Sequence, residues 1–445
     1  MLRPRPISNG MKLSLFQTIL LGVFSLGALV GLFVFATYTS TGGSNAIGVV
    51  VIWGTLPSKD MEGVLAAAEL ADTTLKDLTY VQKDAATLSA SIATAIATGA
   101  APDLVLASQE ELRVLSRFIE PIPLSTLPAS DFANAFVRAG GLFAAPGGAG
   151  YYGIPFLIDP LVLFSNRSIL SSSGIARPPA TWEALVGLVP NIAILTPTRQ
   201  ITRGLVALGT YDNVRNARGI LSALFLQQGI PISSYASNGN LAANLGDGAS
   251  SGEAHGSSVV GFYTQFADPS KVSYTWNTSL PDSEQMFLSG DLALYFGYAS
   301  RARFLKAANP NLDFIVTPLP QSATARTKRA YGLMYAFMIP RGATNGAGGY
   351  QAAVLLSGSA VQAAAAHATG LAPVSVSELV NVPTTDPIAA VAYAEALYTE
   401  GWLSPAPMEV DRVFSGMIGD VISGRSTLET ALGNAARSLS SLLQQ

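Results

Sequence analysis

The stretch that decides the fold is Met286–Pro320, MFLSGDLALYFGYASRARFLKAANPNLDFIVTPLP. It predicts the end of a helix, a buried strand, a short helix and a second strand, in this order. Gly290 stands where a helix C-terminus favours glycine, and the apolar run Leu292–Phe296 has the length of a buried strand. Gly297 then lets the backbone turn, and Tyr298 follows where the strand ends. Because ligands of open α/β sheets bind at the carboxyl ends of strands, Tyr298 is a candidate binding residue.

Strand-like and helix-like segments alternate from residue 47 onward. Ile47–Trp53 is a nearly continuous apolar run, typical of a central strand, and Leu104–Leu106 is a second one. Between them, Asp84–Thr98 repeats Leu or Ile at every fourth position, which indicates a helix. Near the end of the chain, Ser426 and Glu429 have the spacing of a helix capping box. The alternation predicts an α/β fold with a largely parallel sheet covered by helices.

The composition argues against several classes of function. The 445 residues are enough for two or three domains, but only 12% are charged and the net charge is -3. This argues against a nucleic-acid partner, because phosphate binding needs clustered Lys and Arg. The chain has no cysteine, which excludes disulfides and thiolate metal sites. His255 and His367 form no His-x-x-x-His pair, so we predict no metal, no cofactor and no catalytic residue.

The N-terminal region contains a long uncharged segment, Leu13–Tyr38. As a helix, its roughly 26 residues would extend about 39 Å, enough for a hydrocarbon core of about 30 Å. Arg3, Arg5 and Lys12 precede it, so the positive-inside rule places the N-terminus in the cytoplasm. A cleaved signal peptide, whose apolar region is usually shorter, is the alternative. We predict a single-pass cell-membrane protein with a cytoplasmic tail (1–12), a transmembrane anchor or uncleaved signal (13–38), a linker (39–46) and an extracytoplasmic domain (47–445).

Five separated motifs in the outer domain resemble one known family. They are Gly99–Asp103 (G-x-x-P-D), Tyr152–Pro155 (Y-G-I-P), Pro178–Leu185 (PPATWEAL), Pro318–Pro320 (PLP) and Ser423–Leu432 (SGRSTLETAL). Together and in this order they resemble the extracellular solute-binding proteins of ABC importers, in the sugar-type, maltodextrin-binding-like branch. The resemblance covers about residues 47–445.

The resemblance implies a two-lobed, periplasmic-binding-protein-like (type II) α/β fold with hinge strands. One lobe would take roughly residues 47–157 and 320–372, and the other roughly 158–319 and 373–445. The chain would cross between the lobes near Phe156–Pro160, Thr317–Gln321 and Leu371–Val374. A ligand held between the lobes favours the closed form through its contacts with both.

The function that the resemblance implies is solute capture for import. A membrane-anchored protein would bind a carbohydrate between its lobes and deliver it to the permease of an ABC importer. The chain has no Walker sequence, so it does not itself encode the ATPase. Two alternatives stay open: the same fold serving as a sensor or adhesion module without transport, and an extracytoplasmic hydrolase that uses acidic residues. The lack of His and Cys chemistry argues against an enzyme.

Two site residues are predicted with the resemblance as support. A sugar presents hydroxyls at its edges and C–H groups on its faces, so its binding site combines polar side chains with aromatic rings. Tyr298 stands where relatives stack an aromatic ring on the sugar, and Asp159 where they carry a ligand-binding acid. Asp411 and Tyr331 are weaker candidates for the same site.

Four further candidates follow from strand ends and family positions. Trp53 ends the first strand, where a structural role is equally open. Ser108 and Gln109 follow the strand after the Pro-Asp pair, where the family presents polar or aromatic contacts. Arg412 precedes an amphipathic helix at a place where relatives carry a large ligand-facing side chain. Asp103, in contrast, is interpreted as a structural cap.

Overall fold

The computed structural model describes residues 47–236, 239–245 and 256–444. The predicted tail, membrane segment and linker, together with His255, lie outside the described residues. Within the described ranges, no helix combines the length and the apolar character needed to cross a membrane. The described residues belong to one compact unit.

Helices and strands alternate along the described chain, with short 3-10 turns between them. The strands are β1 (Val50–Gly54), β2 (Leu78–Gln82), β3 (Leu104–Ser108), β4 (Ile154–Asn166), β5 (Ile194–Leu195), β6 (Ile201–Val206), β7 (Ser233–Tyr235), β8 (Leu241–Ala243), β9 (Leu292–Tyr298), β10 (Phe314–Thr317), β11 (Ala330–Met338), β12 (Ala372–Pro373) and β13 (Thr399–Glu400). The helices are α1 (Ser58–Ala71), α2 (Ala85–Ala97), α3 (Gln109–Leu115), α4 (Ala129–Ala135), α5 (Arg167–Ser172), α6 (Trp182–Gly187), α7 (Val189–Ile192), α8 (Ala217–Gln227), α9 (Gly256–Thr264), α10 (Ser283–Leu288), α11 (Arg301–Ala308), α12 (Gly346–Leu356), α13 (Ser359–Thr369), α14 (Val376–Leu379), α15 (Pro387–Ala396), α16 (Pro407–Ile422) and α17 (Leu428–Leu443).

The main sheet is mixed rather than largely parallel. Its order is β2-β1-β3-β11-β4-β9-β6-β5, with β10 and β12 also paired to β4 and β13 to β11. β1 runs parallel to β2 and β3, whereas β4 runs antiparallel to β9, β10, β11 and β12. The prediction of a largely parallel sheet is therefore wrong. Helix–strand alternation predicts parallel pairing only if each connection returns to the end of the sheet at which the previous strand began. β11, which runs antiparallel to both β3 and β4, does not follow this pattern.

Strand β4 connects the two sides of this sheet. Every one of its 13 residues is buried. Its first part, up to Pro160, pairs with β11, and its second part, from Leu161, pairs with β9. The register pairs Asp159 with Leu333 and Leu161 with Tyr298. Two of the predicted site residues are therefore brought together by the change of partner strand along β4.

The stretch Met286–Pro320 forms the predicted helix, strand, helix and strand, but one glycine has a different role. Gly290 has a φ of 86° just after α10, as expected for a helix end. Gly297 makes no turn, since β9 continues to Tyr298. A Cβ atom at Gly297 would lie 2.7 Å from the ring of Tyr295 and 3.0 Å from that of Phe164. Close packing, not backbone freedom, is the reason for this glycine.

Of two helix N-caps predicted from the sequence, the one at Asp84 is correct and the one at Ser426 is wrong by one residue. Asp84 caps α2 by accepting a hydrogen bond from the backbone N–H of Ala86 at 2.7 Å, as predicted. The cap of α17 is Thr427, which accepts from the N–H of Thr430. The predicted box from Ser426 to Glu429 is wrong, because Thr427 is extended and the helix begins only at Leu428.

We expect the substitution Gly297→Ala to lower the free energy of unfolding by about 1–3 kcal/mol, because an added methyl group overpacks a filled core. Gly187→Ala is the matched control, since no heavy atom lies within 4 Å of the Cβ atom it would add. That control should stay within about 1 kcal/mol of the wild type. Urea unfolding of both variants is the measurement, and equal stability of the two would contradict the packing role of Gly297.

Candidate functional site

The first turn of α3 holds an acidic side chain in a fixed place. β3 ends at Ser108, which caps α3 through a capping box with Glu111. The Ser108 hydroxyl also donates to the carboxylate of Glu111 at 2.5 Å, and burial raises the pKa of Glu111 to about 7. Glu110 lies between these two residues, in the first turn of α3, and is buried.

Glu110 forms a forked ion pair with Arg218 of α8. The Arg218 Nε and Nη2 atoms donate to its two carboxylate oxygens at 3.1 and 2.7 Å. Nη1 donates to Asp411 at 2.6 Å and to the Pro407 carbonyl at 3.1 Å, and the Tyr331 hydroxyl donates to Glu110 at 2.6 Å. Burial alone would lower the pKa of Arg218, but Glu110, Tyr331 and Asp411 outweigh it and the net shift is upward. Bidentate geometry makes this a strong, directional pair.

Two more tyrosines face this ion pair. The pKa of Tyr298 is raised by burial and then by the charge of Glu110. The pKa of Tyr335 is raised by burial and then by Asp159. Both side chains keep partial exposure, and the described residues offer no hydrogen-bond partner to either hydroxyl. The Tyr298 hydroxyl lies against Gly219, where a Cβ atom would be only 2.8 Å away. These seven residues (Glu110, Asp159, Arg218, Tyr298, Tyr331, Tyr335 and Asp411) are called the central cluster below.

Asp159 positions the chain that follows Tyr298. Its carboxylate accepts from the Ser300 backbone N–H at 3.1 Å and from the Ser300 hydroxyl at 2.5 Å. The side chain is buried, and burial raises its pKa to about 7. Asp159 therefore holds the end of β9 against β4, next to the Tyr298 ring.

The other predicted residues have contacts of their own. The Gln109 amide is buried, donates to the Gly332 carbonyl at 3.0 Å and accepts from the Met334 N–H at 2.6 Å, which ties α3 to β11. The Lys83 ammonium lies over the Trp53 ring, 3.9 Å from the ring centroid, in a cation–π contact. The structure brings neither side chain into the central cluster, and their roles in ligand binding stay predictions, as do those of Ser108, Tyr298 and Asp159.

Arg412 lies within α16, which begins at Pro407, so the prediction that it precedes this helix is wrong. Asp411 is its neighbour on the helix but has different surroundings. Arg412 is 67% exposed and pairs with Glu409 at 2.6 Å, whereas Asp411 reaches Arg218 and also accepts from the Tyr211 hydroxyl at 2.6 Å. One residue along a helix rotates the side chain by about 100°. The weaker sequence candidate is thus the one that joins the cluster.

Sequence reasoning did not find Glu110, Arg218 or Tyr335. Glu110 had a usable signal, because it lies in the first turn after a predicted strand end. Arg218 and Tyr335 had none, since Arg218 pairs with a residue 108 positions away and Tyr335 lies on a different strand from Asp159, whose charge affects it.

A cavity of about 530 Å³ lies beside α3, one turn beyond Glu110. Its polar lining comes from Arg113, Ser116, Tyr152, Tyr235, Asn240 and Gln444. A second cavity of about 260 Å³ lies between α16 and the segment around Tyr211. Within the part of the chain that the structure describes, no group of three or more His, Cys, Asp or Glu side chains could hold a metal ion.

Comparison with solved structures shows the class of fold. A cyclo/maltodextrin-binding protein complexed with maltotetraose has a TM-score of 0.72 at 16% identity, covering 91% of this chain and 99% of that one. A cyclic alpha-maltosyl-1,6-maltose binding protein from Arthrobacter globiformis has a TM-score of 0.70 at 14% identity, covering 89% and 98%. A maltotriose binding protein from Thermus thermophilus has a TM-score of 0.63 at 17% identity, covering 88% and 99%. The fold is the mixed α/β, periplasmic-binding-protein-like fold of such proteins.

The sequence itself establishes the family. Residues 36–390 match the family described as bacterial extracellular solute-binding protein, and the chain belongs to this family. Among curated protein sequences none matches the chain. The predicted family is therefore confirmed, and both the family and the similar structures are described as binding proteins rather than enzymes.

Proposed function

We propose that the protein captures a saccharide between two lobes of the domain 47–445. The lobes are those predicted from the sequence, 47–157 with 320–372 and 158–319 with 373–445. The observation that carries the proposal is the central cluster, to which both lobes contribute. Glu110, Tyr331 and Tyr335 come from the first lobe, whereas Asp159, Arg218, Tyr298 and Asp411 come from the second.

The chemistry of the cluster suits a polyhydroxylated ligand. Carboxylates and a guanidinium form charge-assisted hydrogen bonds with sugar hydroxyls, and tyrosine rings cover the C–H faces at a small entropic cost. Without a ligand, Glu110 and Arg218 satisfy each other. A ligand hydroxyl would replace one of the hydrogen bonds between Glu110 and Arg218. Other ligand hydroxyls would form hydrogen bonds with the hydroxyls of Tyr298 and Tyr335. Because such a ligand contacts both lobes, its binding favours the closed form.

Delivery to an ABC importer and anchoring by residues 13–38 belong to the same proposal. The family description supports an extracellular domain, and the uncharged N-terminal segment supports a membrane anchor. Deletion of the gene should abolish uptake of the bound saccharide. The full chain should restore uptake, and a chain in which a cleavable signal peptide replaces residues 1–46 should not. Restoration by the chain with the cleavable signal would contradict the anchor.

We expect Tyr298→Ala to weaken saccharide binding at least about tenfold, because removal of a central aromatic contact at a binding site costs 2 kcal/mol or more. Tyr298→Phe keeps the ring and should lose only the hydroxyl contact. The affinity is measured by isothermal titration calorimetry of the purified full-length chain with a panel of mono- to tetrasaccharides.

The matched control is Tyr350→Ala. This tyrosine lies on α12 and its hydroxyl approaches the Thr126 carbonyl at 3.5 Å, so saccharide affinity should stay within about twofold. Arg412→Ala and Asp159→Ala test two further predicted residues in the same titration. Unchanged affinity in both Tyr298→Ala and Asp159→Ala would remove the proposed site.

A further inference from the structure

The cavity beside α3 begins about one helical turn beyond Glu110 of the central cluster. Glu110 and Arg113 are three residues apart, a spacing that makes side chains neighbours on a helix surface. Glu110 belongs to the central cluster, while Arg113 and Ser116 line the cavity. The volume of about 530 Å³ falls within the range of small-molecule sites, about 300–1,000 Å³. The cavity can hold a ring that extends beyond the cluster.

Two tyrosines from distant parts of the chain line this cavity. Tyr152 lies just before β4, and Tyr235 ends β7. Tyr235 is 45% exposed and interacts electrostatically with Tyr152 and Arg113. In the described residues, neither tyrosine hydroxyl has a hydrogen-bond partner. A large, half-exposed ring beside a cavity, with a free hydroxyl, suits contact with a sugar ring.

The charged group that lines this cavity is a cation. Carboxylates, which bind the hydroxyls of neutral sugars in many sites, do not line it in the described residues. Arg113 is the one charged side chain among the described residues that line it. Its Nη2 atom donates to the Leu443 carbonyl at 3.3 Å, at the end of α17, and it forms no ion pair with any described carboxylate. A helix C-terminus carries only about half a negative charge, so the guanidinium keeps a net positive charge. Arg218, in contrast, is paired with two carboxylates.

We propose that this cavity binds a sugar ring that bears a carboxylate, a uronic acid, and that Arg113 is the residue that selects it. The planar guanidinium fork matches a carboxylate with two parallel hydrogen bonds, which an ammonium cannot do. Tyr152 and Tyr235 contact the ring, and the rest of the saccharide reaches the central cluster past Glu110. The inference rests on the proposed function in that the ligand is a saccharide; it adds that the saccharide is acidic.

The test is isothermal titration of the purified full-length chain with matched sugars. Galacturonate and glucuronate, as monomers and dimers, are compared with galactose, glucose and their neutral dimers, and with glucose 6-sulfate. We expect the uronic acids to bind at least about tenfold more tightly than their neutral counterparts, as a charged hydrogen-bonded pair provides. Glucose 6-sulfate should bind more weakly than the uronates, since it lacks the planar carboxylate.

Variants separate selection by Arg113 from general loss of the site. Arg113→Gln should remove at least about tenfold of the affinity for uronates and leave neutral sugars within about twofold. Arg113→Lys should keep part of the preference. Arg117→Gln, one helical turn further and exposed, is the control and should change neither. Melting temperatures of all variants show whether each is folded.

The possible failures point to different errors. If neutral sugars bind as tightly as uronates, or if Arg113→Gln leaves uronate affinity unchanged, the inference is overturned while saccharide capture survives. If glucose 6-sulfate binds as tightly as the uronates, carboxylate selection is wrong. If no saccharide of either kind binds, the inference and the proposed function both fall.

Discussion

Arg218→Ala is expected to lower the free energy of unfolding by about 3–5 kcal/mol, because it leaves a buried carboxylate without its counter-ion. The side chain of Glu110 is 5% exposed and that of Arg218 is 20% exposed, so solvent can screen little of the lost interaction. Tyr331 would still donate one hydrogen bond to Glu110, but one phenol cannot replace a bidentate guanidinium. Urea unfolding of the full-length chain measures the effect.

The double variant Arg218→Met with Glu110→Leu distinguishes an orphaned charge from lost packing. Replacement of both members of a buried pair by apolar groups of similar volume is often neutral or stabilising. We therefore expect the double variant to be more stable than Arg218→Ala and about 1–2 kcal/mol less stable than the wild type, because the buried Tyr331 hydroxyl loses its acceptor. Arg412→Ala, which breaks an exposed pair with Glu409, should change stability by less than about 1 kcal/mol. A double variant as unstable as Arg218→Ala would contradict this explanation.

A second large effect is expected from Glu395, near the end of α15. The side chain is fully buried. One carboxylate oxygen accepts from the Tyr398 hydroxyl at 2.5 Å, and the other has no hydrogen-bond partner in the described structure. Burial raises the pKa of Glu395 to about 7, against the opposing effects of Tyr398, the Leu319 backbone and Lys328. A carboxyl in this environment is more stable when it holds its proton.

The contribution of Glu395 to the stability of the protein should therefore fall as the pH rises from about 4.5 to about 7. The unfolded chain loses this proton near its ordinary pKa of 4.5, whereas the folded chain keeps it until about 7. Between these values the folded state binds more protons, so its stability decreases with pH and then levels off. Glu395→Gln imitates the protonated side chain. It should raise the free energy of unfolding by about 3 kcal/mol at pH 8 and change it little at pH 4.5.

The measurement is urea unfolding of wild type and variant at several pH values between 4.5 and 8. Glu62→Gln, at an exposed position of α1, is the control and should change stability by less than about 0.5 kcal/mol throughout. A Glu395→Gln variant that is less stable than the wild type at pH 8 would show that the buried carboxylate is ionised and stabilising.

Local features of the fold could be predicted because they depend on neighbours in the sequence. Asp84 caps α2, Gly290 follows α10 with a positive φ, and the strand after Gly290 is buried. Strand direction could not be predicted, because it depends on the edge at which each connection ends. The role of Gly297 was equally hidden, since the two rings that it accommodates are brought together by β4 and β9.

The candidate site likewise contains residues that the sequence indicated and residues that only the structure revealed. Tyr298 and Asp159 could be chosen as candidates from the sequence because each stands near a strand end or a motif, and their roles in binding stay predictions. The partner of Glu110 could not, because Arg218 is 108 residues away in the sequence and nothing around it marks a binding residue. The choice of Asp411 over Arg412 was also hidden, since it depends on which side of α16 faces Arg218 of α8.

The sequence by itself determined the family, the α/β class and the order of strands and helices. These follow from side-chain periodicity, caps and short motifs, all of which act over a few residues. Only the tertiary structure decided which charges meet, which are buried and which cavity is left between them. Burial and ion pairing depend on distances between groups far apart in the chain, and those distances exist only after the sheet has assembled.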